Sequence, residues 1–197
     1  GHVTGVQTCA LPILPALARA GVEQRVVIRR DPARAAHFRG QGLEALQLPF
    51  GGFFDFTTRR GFRAAIAAFK PDVVMTWMSR ASALCPKGDF VQIGRLGGYY
   101  DLKYYRRCAH LIGNTEDIRG YLVKSGWPAE RAHYLPNFVD ARPQTPALRG
   151  DHETPPDVPL LLALGRLHRN KAFDVLLSAL AVVPRAHLWI AGEGPER

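Results

Sequence analysis

Short apolar runs alternate with stretches of helical periodicity along most of the chain. Leu160–Leu164 is a continuous apolar run, the pattern of a strand buried on both faces in a parallel sheet. Gly165 ends it, and a basic loop at 166–171 comes next. Phe173, Leu176, Leu177 and Leu180 then fall at i, i+3, i+4 and i+7, one face of a helix. Residues 187–191 read as a second strand, and Gly192-Glu-Gly194-Pro195 as the turn after it. The first half shows the same rhythm. Strands are predicted at 25–28, 43–48, 90–93, 110–113 and 132–135, with one more at the end of the 70–75 segment. Helices are predicted at 32–39, at 58–69 with Phe62, Ile66 and Phe69 on one face, and between Asn114 and Gly126. In the last of these Ile118, Tyr121, Leu122 and Ser125 share a face, and Asn114 or Thr115 serves as the cap. Such alternation predicts an α/β fold with parallel sheets.

Two stretches break the rhythm. Residues 142–159 hold five prolines without periodicity and read as an interdomain linker. Residues 1–13 do not fit the rest of the chain: Val3 to Ile13 resembles the translation of a common sequencing-adapter oligonucleotide and is set outside the fold. On that reading 14–21 is the tail of a first helix with Gly21 as its stop, and the strand and Gly-rich loop expected ahead of it are missing.

Charge narrows the partners. The 197 residues carry a net charge of +9, with a pI near 9.9, which points to an acidic partner. The cations are spread along the chain, which suits a nucleotide or an anionic membrane surface better than nucleic acid. The three cysteines, Cys9, Cys85 and Cys108, form no Cys-x-x-Cys pair, as in a reducing, cytoplasmic compartment. No apolar run approaches the ~20 residues of a membrane span. There is no Gly-x-Gly-x-x-Gly for a dinucleotide and no Gly-x-Ser-x-Gly for a hydrolase. The histidines lack metal-ligand spacing, and no Asp-x-Asp is present to bridge a metal to a sugar nucleotide.

The chemistry concentrates in a few stretches. The loop after Leu164 lies at the carboxyl end of a strand and before a helix N-terminus, where open α/β sheets bind anions. Arg166 can present a planar fork to phosphate and Lys171 a mobile point charge; otherwise both are solvated loop cations. Gly94 to Arg107 combines Arg95, Gly97, Gly98 and four tyrosines beginning at Tyr99 with further cations. It reads either as a surface for sugars or an anionic head group, or as a helix start whose tyrosines cover the core. The aromatic Gly loop at 50–56 lines an acceptor or lipid-facing surface or packs back on the core. Ser79 and Arg80 come after the strand that ends near Met75 and are candidates on the substrate side.

Gly165-Arg166-Leu-His-Arg-Asn-Lys171, an amphipathic helix and then Ile-Ala-Gly192-Glu-Gly194-Pro195 resemble the donor-domain opening of the retaining family-four (group 1) glycosyltransferases. Tyr134-Leu-Pro136-Asn137-Phe138-Val-Asp140 resembles the family's Pro-Asn-Gly-Val-Asp segment, with Phe138 in place of Gly. The resemblance spans residues 109–197. It implies a GT-B fold of two Rossmann-like parallel-sheet domains, the second incomplete. Residues 14–141 would form the acceptor-side domain, and 160–197 the start of the nucleotide-sugar donor domain. It further implies metal-independent transfer, with retained configuration, from a nucleotide-diphosphate sugar to a glycan or glycolipid acceptor in cell-envelope polysaccharide or lipopolysaccharide synthesis. No separate cofactor is expected. Arg166 and Lys171 would carry the leaving diphosphate, with Gly165, Gly192 and Gly194 at the donor. Ser79, Arg80, Arg95, Gly97, Gly98 and Tyr99 would stand on the acceptor side. Where family members often carry a His, this chain has Met75, Thr76 and Trp77, so no catalytic His is carried over. The expected location is cytoplasmic, with peripheral contact at the inner face of the membrane, and the 197 residues alone are expected to be inactive. A basic binding module for nucleic acid or an anionic membrane is the alternative reading.

Overall fold

The computed structural model describes residues 5–51, 55–138 and 145–197, with side chains from residue 12 onward. The chain divides into two compact units, Gly1–Ala141 and Arg142–Arg197.

In the first unit, helix α1 (Gly5–Arg19) leads to strand β1 (Val26–Arg29), α2 (Pro32–Arg39) and β2 (Ala45–Leu48). Then come α3 (Phe56–Phe69), β3 (Val73–Trp77), α4 (Met78–Leu84) and β4 (Val91–Leu96). A 3-10 turn (Leu102–Tyr105), β5 (His110–Gly113), α5 (Glu116–Lys124) and β6 (Ala132–Tyr134) complete it. β1 pairs with β2, and β3, β4, β5 and β6 pair in that order; every pairing is parallel.

Local chemistry sets the helix ends. α1 stops where Gly21 takes φ +79, with the Val22 N–H closing onto the Leu17 carbonyl at 3.0 Å. α1 starts at Gly5, so residues 5–13 are the front of the same helix as 14–19, and Ile13 and Leu14 are buried. Asp31 caps α2 ahead of Pro32. Asp55 caps α3 and Thr115 caps α5. One core cluster (Val26, Ile28, Phe38 and neighbours) lies around β1 and α2. Another (Leu96, Tyr105, Leu111, Ile118, Leu122) joins β4 and β5 to α5 and the 3-10 turn. A third joins Leu48, Phe50, Phe62 and Cys85.

The second unit holds β7 (Leu160–Leu164), a 3-10 turn (Arg169–Lys171), α6 (Phe173–Leu180) and β8 (His187–Ala191). β7 and β8 pair in parallel with Leu162 opposite Trp189. Burial of β7 on both faces is not found. Leu161, Leu162 and Leu164 are 43%, 60% and 71% exposed, because one helix and one partner strand cannot cover both faces. Part of the Pro-rich stretch folds against this unit. Arg149 donates to the carbonyls of Pro155, Pro156 and Val158, and buried Thr154 accepts from the Trp189 indole at 2.9 Å.

Candidate functional site

The cationic loop is built by β7, β8 and the start of α6. β7 delivers Gly165 and Arg166 at its carboxyl end, and the turn after β8 packs onto that same backbone. The Gly165 N–H donates to the Ala191 carbonyl at 3.0 Å, and the Leu167 N–H to the Glu193 carbonyl at 3.0 Å. A Cβ at Gly192 would fall 1.8 Å from the Gly165 carbonyl oxygen, and one at Gly194 2.0 Å from the Leu167 carbonyl oxygen. Gly192 and Gly194 therefore let two loops touch through their backbones.

Lys171 ends the 3-10 turn, and its aliphatic stem passes 3.8 Å from where a Gly165 Cβ would stand. That brings Lys171 to the same strand end as Arg166. Among the described residues neither cation meets a carboxylate; the neighbouring Arg169 pairs with Glu196 at 3.5 Å and Arg197 with Glu193 at 2.9 Å. α6 starts on Ala172, held at φ +51, and no side chain caps its first N–H groups, which carry the positive end of the helix dipole. Exposed Asp174 in the first turn offsets part of that charge. Two mobile cations and a helix end make a site suited to a diphosphate.

The acceptor-side candidates fall into two sets. Ser79 and Arg80 lie in α4, which the sequence pattern does not mark. The Ser79 hydroxyl is 3.3 Å from that of Tyr105, and Arg80 donates to the Phe50 carbonyl at 3.0 Å. Arg95 corrects its loop reading. β4 runs on through Gly94 and Arg95 to Leu96, and Arg95 is only 2% exposed. Its Nη2 donates to the Asn137 side chain at 3.0 Å, while Nε and Nη1 are buried without partners. The strand continues because Gly94 leaves room for Tyr105 and Leu111, which a Cβ would meet at 2.8 Å.

Gly97 and Gly98 come after β4 with space for a Cβ; the nearest atoms are at 3.6 Å and 3.4 Å. Tyr99 is 65% exposed and stands edge-on to Tyr121. Its hydroxyl donates to Asp117, and this bond pushes the phenol above its ordinary pKa. The tyrosine cluster is split. Tyr105 is fully buried and Tyr100 half-buried, while Tyr99 and Tyr104 are exposed. Of the aromatic loop, Phe50 packs in the core and Phe56 is exposed; residues 52–54 lie outside the described residues. Cys85 and Cys108 are free and buried, and burial pushes their thiols up to about 12 and about 11. That makes them unreactive. Among the described residues no helix is long and apolar enough to cross a membrane.

Both units are parallel α/β, and the second opens with a cationic strand–loop–helix segment. Residues 4–87 match the Glycosyl transferase 4-like domain. Two lipopolysaccharide core biosynthesis glycosyltransferases of Rhizobium meliloti (strain 1021) align with the whole chain, LpsD at 32% and LpsE at 34% identity. The chain spans 58% of the length of each. The solved structure of Anabaena Alr3699/HepE in complex with UDP-glucose superposes over 98% of this chain and 58% of its own, with TM-score 0.77 and 14% identity. A glycosyltransferase from Rickettsia africae ESF-5 covers 94% of this chain and 64% of its own, with TM-score 0.73 and 13% identity. The match over residues 4–87 and the two relatives make the chain similar to the group 1 glycosyltransferases, and its fold is of GT-B type.

Proposed function

We propose that the full-length protein transfers a glycosyl group from a nucleoside-diphosphate sugar to a lipopolysaccharide-core acceptor, with retention of anomeric configuration. The donor diphosphate sits on Arg166, Lys171 and the N-terminus of α6. The observation that carries this reading is the pair of unneutralised cations gathered at the carboxyl end of β7 beside an uncapped helix. The relatives' role in lipopolysaccharide core synthesis supports the acceptor class.

The chemistry rests on charge. As the bond from the sugar to the diphosphate breaks, negative charge grows on the leaving phosphate oxygens. Arg166 binds two of them through its fork, and Lys171 tracks the charge as it moves. Each charge-assisted hydrogen bond contributes roughly 1.5–3 kcal/mol, and its effect on rate comes from being stronger in the transition state. With this cationic set in place, no bridging metal is needed to hold the diphosphate. The acceptor approaches the first unit at the first turn of α4, which carries Ser79 and Arg80, and at the loop after β4, which carries Gly97 to Tyr99. Attachment at the cytoplasmic face of an anionic membrane, through exposed Tyr99, Tyr104 and nearby cations, fits an acceptor of this kind.

The test is a donor screen with the full-length enzyme and truncated lipopolysaccharide-core acceptors. Arg166→Ala and Lys171→Ala should each lower kcat/KM about 10²–10³-fold without changing Tm. NMR of the product should show the donor's anomeric configuration kept. Unchanged kinetics in both variants would remove the diphosphate assignment, and an inverted product would remove retention.

A further inference from the structure

Two histidines 23 positions apart in the chain meet at the edge of the four-stranded sheet. His110 opens β5, and His133 stands in the middle of β6, which among the described residues pairs only with β5. The parallel register sets Ile112 opposite His133. Side chains alternate along a strand, so His110, two residues before Ile112, projects from the same face. Leu111 and Ala132 take the other face, where they share a core with Ile118 and Leu122 of α5. The histidines are left outside that core, His110 half-buried and His133 exposed. His110 Nδ1 lies 3.0 Å from His133 Nε2, with ring centroids 5.1 Å apart and planes tilted by 39°. Among the described residues no third histidine, cysteine or carboxylate completes a cluster with them.

The spacing of the two nitrogens matches a metal's bite. Imidazole nitrogens bind Zn²⁺ at about 2.0–2.1 Å, and its neighbours in the first transition row at similar lengths. Two such ligands at a right angle are roughly 2.9 Å apart, and at the tetrahedral angle roughly 3.3–3.4 Å. The observed 3.0 Å is close to the right-angle value. Cu²⁺ and Ni²⁺ take that square or tetragonal geometry with nitrogen ligands. We propose that His110 and His133 form a two-ligand site for such an ion, Ni²⁺ or Cu²⁺, which clips β6 to β5.

Without metal, one of the facing nitrogens donates its proton to the other. Ligation needs a lone pair on both. The proton of the donating ring therefore moves through solvent to that ring's outer nitrogen, and both rings stay neutral. Two waters leave the aqua ion as the two nitrogens bind, and water keeps the remaining positions. Once one imidazole is bound, the second binds intramolecularly, because the paired strands hold it within reach. β6 has three residues, so the metal adds a fixed point that its short ladder does not supply. The chain continues from β6 to Asn137, whose side chain accepts from buried Arg95 at 3.0 Å. The clip steadies the segment that carries this contact. The sequence separation of the two histidines hides the site, and only the register of β5 and β6 brings them together. Nothing in this assignment depends on the glycosyl-transfer reading.

The test titrates nickel chloride into the full-length protein at neutral pH, without a histidine tag, read by calorimetry and by amide exchange. His110→Asn and His133→Asn should each weaken Ni²⁺ binding about tenfold or more, with Tm in the absence of metal little changed. In the unmodified protein Ni²⁺ should slow exchange of residues 132–135 by about tenfold at saturation, and EDTA should reverse it. Zn²⁺ should bind more weakly than Ni²⁺. Ni²⁺ binding that neither variant weakens, exchange at 132–135 that Ni²⁺ leaves unchanged, or tighter binding of Zn²⁺ each overturns the proposal. Should an Asn variant unfold, the exchange result in the unmodified protein decides alone. A failed donor screen bears on none of these outcomes, and a protein indifferent to Ni²⁺ leaves the donor assignment standing.

Discussion

A methyl group added at Gly192 or Gly194 would strike backbone about 2 Å away, whereas one at Gly165 meets only the Phe173 ring and the Lys171 stem, at 3.5 Å and 3.8 Å. The three glycines of one motif therefore separate on mutation. In the full-length protein, Gly192→Ala and Gly194→Ala should each destabilise by roughly 1–3 kcal/mol or more, read from chemical denaturation. Gly165→Ala should leave Tm unchanged and raise the donor KM; an unchanged KM would show that no ligand approaches this backbone closely. Ala172 is the opposite case, a residue with Cβ at φ +51. The left-handed conformation costs an L-residue about 1–2 kcal/mol, offset in part by the unfolded-chain entropy a glycine adds. Ala172→Gly should therefore raise Tm slightly. The motif spells out these glycines but not their separate roles, since the spacing says nothing of which backbone touches which.

Elements were legible where a repeating pattern coincided with a chemical stop. The bounds of β5, β7 and β8 match their apolar runs, and Thr115 caps α5 as its hydroxyl and position suggest. α4 escaped because it is short, begins at Met78 with φ +69, and carries no apolar stripe. β4 looked shorter than it is because Gly94-Arg95 reads as a loop until Tyr105 and Asn137 are seen to need that glycine and that guanidinium. The start of α3 also shows what a cap does. The Asp55 carboxylate accepts from the Thr58 N–H at 2.8 Å and the Gly51 N–H at 2.6 Å. These bonds and the Thr58 hydroxyl, the leading cause, hold its pKa below the ordinary 3.8. A lowered folded-state pKa means the carboxylate's contribution is fully present above about pH 4 and is lost as pH falls through the depressed value. Asp55→Asn should flatten the acid limb of a Tm-against-pH profile; a profile with the same slope would show that Asp55 does not contribute to it.

At the scale of the molecule, the apolar content of β7 is suited to a deeper layer than its unit provides. Leu162 and Leu164 in β7, with Val175 and Leu177 in α6, are more than half exposed. Replacing Leu162 by Thr should therefore leave the fold of the 197-residue chain nearly unchanged yet destabilise the full-length protein, compared by urea unfolding. Equal small effects in both would mean that this face is never covered. The alternation of strands and helices was enough to reach the fold class. The division of the first sheet into two and four strands was not visible, because each run has the same local pattern whether or not a neighbour sits beside it.

That division also bears on cooperativity. Residues 73–134 are contiguous, carry four paired strands and enclose their own core, whereas β1 and β2 connect to them through side-chain clusters and no ladder. Native-state exchange should resolve two blocks that open with separate free energies, the β1–β2 block first. As the polypeptide emerges during synthesis, β1 and β2 would then wait for the strands that come after them before they are locked in place.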